Sequence, residues 1–130
     1  MISHEALARE LAVRPPEPDR FGHAHHVALA WHHARGDGGL DGLAAVDGRL
    51  REIARAHGQP ERYHETLTWG WYLLIRERIA RGDPDATWEE FEAANRDVLD
   101  GSALGARYGS ATLASELARR VFVLPDRGLA

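Results

Sequence analysis

The chain predicts an all-α fold, a single-domain helical bundle of four to five helices with an irregular C-terminal segment. Three observations point there. Apolar residues recur at three- and four-residue spacing through three long stretches, glycine or proline closes each stretch, and no stretch alternates with the period of two that a half-buried strand requires. At 130 residues the chain is one domain's worth of material. It divides into an N-terminal helix and Pro-rich loop (1–18), a helical core (19–99) and the irregular C-terminal segment (100–130).

In chain order, residues 3–13 form a short amphipathic helix with Leu7 and Leu11 four apart, stopped by the Pro15-Pro16-Glu17-Pro18 run. The first main helix spans about 19–35, with Val27, Ala30, Trp31 and Ala34 on one stripe, and Gly36 to Gly39 end it. The second spans about 40–57, directing Leu43, Val46, Leu50, Ile53 and Ala54 inward, with Gly58 as its stop. The third runs from Pro60 to Arg81, a proline being tolerated in a first turn, and carries the clearest apolar face in Leu67, Trp71, Leu74, Ile75 and Ile79. Thr87 and Glu90 make a capping box for a shorter helix over 87–99. Beyond it Gly101, Gly105 and Gly109 interrupt the pattern, residues 110–120 suit one more short helix, and Val121 to Pro125 read as an extended tail on the body.

The 16 Lys+Arg and 20 Asp+Glu residues are interspersed, giving a net charge of −4 without a block of either sign. This balance argues against a nucleic-acid groove and against a polybasic membrane anchor. There are no cysteines, so His, Asp and Glu are the available metal ligands. No apolar run approaches the roughly 20 residues of a membrane span, and Met1 to Glu10 lack a signal-peptide core, so the expectation is a soluble cytoplasmic protein. A homodimer is also expected, because the aromatic-rich third helix carries more apolar surface than so small a body readily covers.

Five of the eight histidines lie between positions 23 and 33. At about 100° per helical residue, His23 falls within the Val27–Trp31 stripe, His26 sits at its edge, and His25 and His32 point to the opposite, solvated side. His33 shares the edge with His26 but lies near the helix end. On the third helix His64 falls at the centre of the stripe of Leu67, Trp71, Leu74 and Arg78, flanked by Glu65. An imidazole aimed inward requires a hydrogen-bond partner, a metal or a wet pocket. His23, His26 and His64 are therefore expected to bind one divalent transition metal (zinc, iron or copper), with Glu65 as a fourth ligand or as a catalytic base. Tyr63, Thr68 and Trp31 are candidates to line the adjoining substrate pocket. His64-Glu-Thr-Leu-Thr68 is not the zinc-protease signature, since Thr68 stands where a second His would be required. Arg78, on the apolar face, either pairs with a carboxylate or binds an anionic substrate.

The landmarks Phe21-x-His23-x-x-His26-x-x-Leu29-Ala-Trp31, Tyr63-His-Glu-Thr-Leu-Thr68 and Phe122-Val-Leu-Pro-Asp126 occur in that order. Together they make a chain that resembles a group of small, uncharacterised, mainly helical bacterial proteins. The resemblance covers most of the chain and implies that His23, His26, His64 and Glu65 act as one constellation; it implies no activity. In architecture alone, metal-binding histidines on a small helical bundle are also similar to the DinB-like metal proteins. Three functions remain open at this point: a metalloenzyme acting on a small-molecule substrate, a non-catalytic small-ligand or structural-metal module, and a partner-binding bundle with a histidine core network.

Overall fold

A computed structural model describes residues 22–36 and 38–128. The first-helix candidate at 3–13, the proline-rich loop and Phe21 lie outside the described residues. Within them the protein is an all-α bundle and contains no strand. Its elements are α1 (His23–Gly36), α2 (Gly39–Ala56), a 3-10 turn (Pro60–Arg62), α3 (Glu65–Arg81), α4 (Trp88–Ala94), α5 (Arg96–Leu99), α6 (Ser102–Gly105), α7 (Ser110–Leu113) and α8 (Glu116–Arg120).

Helix α1 is the centre of the molecule. Val27, Ala28, Leu29, Ala30 and Trp31 are consecutive and all between 0% and 2% exposed, so the helix is enclosed on every side along this stretch by α2, α3 and α5. That differs from a one-striped surface helix. It also corrects the placement of His25 and His32, which are half-buried rather than solvated. Small side chains on α1 and α2 permit the close approach. Gly42 of α2 would, with a Cβ, meet the Tyr72 hydroxyl at 2.2 Å and the His33 carbonyl at 2.9 Å. The Tyr72 hydroxyl is fully enclosed there and donates to the Gly38 and Gly39 carbonyls, at 2.9 and 3.0 Å, pinning α3 to the α1–α2 turn.

Helix α2 stops where the sequence indicates. Gly58 adopts φ +72°, the Gly58 amide donates to the Arg55 carbonyl and the Gln59 amide to the Ala54 carbonyl, which is the paired-bond arrangement of a glycine-terminated helix. The third helix, by contrast, starts five residues later than Pro60. Residues 60–62 make only a 3-10 turn, Tyr63 and His64 are extended, and the α-helix begins at Glu65. The predicted 87–99 helix is broken in two. Thr87 and Glu90 form the expected capping box, but Asn95 leaves helical geometry at φ −130°, its side-chain amide donating to the Phe91 carbonyl.

The C-terminal segment is irregular but well attached. Ser115 caps α8 and thereby divides 110–120 into two short helices. Beyond α8 the tail lies along α3: the Thr66 hydroxyl donates to the Val121 carbonyl and accepts from the Val123 amide, and the Tyr108 hydroxyl donates to the Val123 carbonyl. Phe122 stacks on Trp69 with centroids 5.5 Å apart. Asp126 accepts from the Gly109 amide and the Thr112 hydroxyl, closing the strap. Trp71, Tyr72 and Ile75 of α3 are buried within the chain, while Leu73 is exposed. Among the described residues no helix is long and apolar enough to cross a membrane.

Candidate ligand cavity

The C-terminal half of α2, the turn after it, the start of α3 and one residue of α1 line a cavity of about 230 Å³ that is open to solvent. Leu50, Ile53, Ala54 and Leu67 give it an apolar wall; His26, His57, Gln59, Arg62, Tyr63, His64 and Thr68 give it a polar one. The chain reversal at Gly58 brings these groups together, because it returns residues 59–64 alongside the helix end they have just left.

His64 is the N-cap of α3, not a residue on its stripe. Its Nδ1 accepts from the Leu67 amide at 3.1 Å, which satisfies one of the amides that a helix start leaves unpaired. Its Nε2 lies 2.8 Å from the Leu113 carbonyl, which can only accept, so Nε2 is the donor. Both ring nitrogens are committed. The Thr68 hydroxyl donates to the His64 carbonyl at 2.9 Å, fixing the same turn from the other side.

His26 is held differently. Among the described residues its Nε2 has no hydrogen-bond partner, and that atom is buried although the residue is partly exposed and lines the cavity. An unmet imidazole nitrogen in that position costs about 1–3 kcal/mol. Burial, and after it the neighbouring His23, lower the His26 pKa from 6.5 to about 4, so the ring is neutral at physiological pH. The two rings meet edge to face with centroids 6.5 Å apart. His23 is turned toward α5: its Nε2 donates to the Val98 carbonyl at 2.9 Å and its ring packs 4.8 Å from that of Trp71.

Behind the cavity Asp47 organises a polar seam. It accepts from the Tyr63 hydroxyl at 2.7 Å, the Trp69 indole at 2.9 Å and Arg51 Nε at 2.7 Å. Burial alone would raise its pKa; the hydrogen bonds from Trp69, Arg51 and Tyr63 outweigh that and hold the carboxyl below its usual range. Burial and the bond to Asp47 push the Tyr63 phenol upward, which makes it a fixed neutral donor. Arg51 lies over the Tyr63 ring at 4.0 Å and bonds Glu65 at 2.9 Å.

The structure therefore brings His26, His64, Tyr63 and Thr68 around one cavity, and leaves the other expected site residues elsewhere. Glu65 faces Arg51 and does not line the cavity. Trp31 is core, packed on Trp88 and Phe91. Arg78 is answered by a bidentate pair with Asp97, at 2.9 and 2.7 Å, and by Asn95. The residues do not fit the expected metal centre. His64 would have to give up the α3 cap or its bond to Leu113, His23 is turned toward α5, and no group of three or more His, Asp or Glu among the described residues is disposed to hold an ion. His57, Gln59 and Arg62 were not anticipated as site residues. Their signal was a helix stop followed within two residues by proline, which marks a reversal and hence a place where two helix ends face each other.

Compared with family models, with curated proteins and with solved structures, the chain matches none.

Proposed function

We propose that this protein is a non-catalytic binding module that takes a small, largely apolar molecule into the cavity between α1, α2 and the start of α3. The observation that carries the reading is a cavity lined by Leu50, Ile53, Ala54 and Leu67 together with His26, a residue whose Nε2 is buried and has no hydrogen-bond partner among the described residues. Ligand pockets combine an apolar lining with a few placed polar groups, and a buried polar atom left unmet by the protein is a group a ligand can meet. Metal-dependent chemistry fits less well, because both ring nitrogens of His64, one of its three expected imidazole ligands, are already used.

A fragment panel of small alcohols, phenols and carboxylic acids, followed by amide NMR of the whole protein, tests the reading. Saturable shifts are expected at Ile53, Leu67 and Thr68, and filling the cavity with Ala54→Phe is expected to remove them. The absence of saturable shifts at these positions for every fragment overturns it.

A further inference from the structure

We infer that the cavity selects monoanionic ligands, an apolar body carrying one carboxylate, with Arg62 as the group that reads the charge; the inference rests on the binding role just proposed. The chain is acidic, with 20 Asp+Glu against 16 Lys+Arg, yet none of the described residues lining this cavity is an Asp or a Glu. Arg62 is the lining residue with a permanent charge, and the other polar groups are imidazole, amide and hydroxyl. A cationic ligand would find no counter-charge there, whereas an anion would find one already in place.

Arg62 is also available for the task. Among the described residues its side-chain partner is the Gln59 side-chain amide oxygen, which accepts from Nη1 at 2.9 Å and leaves the remaining guanidinium donors for a ligand. Arg51 and Arg78, in contrast, are taken by Asp47, Glu65 and Asp97. Arg62 is exposed and sits on the 3-10 turn, so its charge is hydrated at the cavity mouth and needs no buried partner. A carboxylate placed there accepts the planar guanidinium fork while its hydrocarbon part lies against Leu50, Ile53, Ala54 and Leu67. His64 and Tyr63 add no competing polarity, their donors being directed to Leu113 and Asp47.

Three probes of one shape and different charge test this: phenylacetate, 2-phenylethanol and 2-phenylethylamine, titrated calorimetrically at pH 7.5 into the wild type and into Arg62→Ala. The acid is expected to bind about two- to fivefold more tightly than the alcohol, and the amine most weakly, in keeping with an exposed charge pair. In Arg62→Ala the acid-to-alcohol ratio is expected to fall to about one. The Arg62→Ala variant is expected to fold, because the side chain is exposed and makes one hydrogen bond among the described residues. Equal binding of the three probes, tighter binding of the amine, or an acid preference that survives Arg62→Ala overturns the inference and leaves the cavity's binding role intact. If none of the three binds, the charge selectivity is overturned, and the fragment panel decides the binding role separately.

Discussion

At the scale of single residues, the unpaired nitrogen of His26 sets stability against binding. Replacing a buried, unsatisfied polar ring with an apolar side chain removes a penalty of about 1–3 kcal/mol and adds apolar contact. His26→Leu is therefore expected to unfold at the same or a higher urea concentration than the wild type while losing affinity for the cavity probes. A clear loss of stability on that substitution would mean that the ring is satisfied in solution. Asp47 is the opposite case. It answers three donors at once, so Asp47→Ala strands Tyr63 and Trp69, Arg51 keeping its bond to Glu65, and is expected to cost about 2–3 kcal/mol by urea denaturation.

At the scale of elements, the glycines identify where the helices cannot tolerate a side chain. Gly42→Ala is expected to destabilise by about 1–3 kcal/mol, since a Cβ there collides with both the Tyr72 hydroxyl and the His33 backbone. Gly58→Ala places a Cβ at φ +72° and is expected to cost about 1–2 kcal/mol, with open space around it, so its effect isolates backbone strain from crowding. Thermal denaturation of the two variants distinguishes these causes if Gly42→Ser is worse again and Gly58→Asn is milder than Gly58→Ala.

Much of the element pattern was legible from spacing. Val46, Leu50 and Ile53, Trp71 and Ile75, the Gly58 stop and the Thr87–Glu90 box all lie where periodicity and capping chemistry put them. The site was less legible, and one register decision explains most of the difference. A proline at position 60 is compatible with a helix start, but the helix begins at Glu65, and the residue read as an inward histidine on a helix face is the side chain that caps it. A histidine can accept a backbone N–H through Nδ1 as Asp or Ser would, and periodicity carries no information about that use. His23 and His26 were placed as neighbours, which they are. That only one of them lines the cavity depends on α5 supplying the Val98 carbonyl, a contact 75 residues away in sequence.

At the scale of the whole molecule, stability should depend on pH in two windows. The His26 pKa falls on folding from 6.5 to about 4, so the unfolded chain binds more protons between those values, and stability is lost as pH falls through them. The loss reaches about 3 kcal/mol at most, from 1.36 kcal/mol per unit. Asp47 and Asp97 are depressed below 3.8, so what they contribute is present above that value and is lost only under more acid conditions. Urea midpoints taken from pH 7.5 to pH 4.5 should therefore decline in the wild type and stay nearly level in His26→Leu. A parallel decline in both would assign the first window to other groups.

The most direct measurement is nitrogen NMR of the protein with ¹⁵N-labelled histidine, titrated from pH 8 to pH 4 and then, at pH 7.5, with phenylacetate. The account predicts a His26 ring that stays neutral until about pH 4 and an Nε2 resonance that moves saturably as the ligand enters. A His26 ring that titrates near 6.5, with an Nε2 resonance indifferent to phenylacetate, would contradict both the buried, unpartnered nitrogen and the binding role built on it.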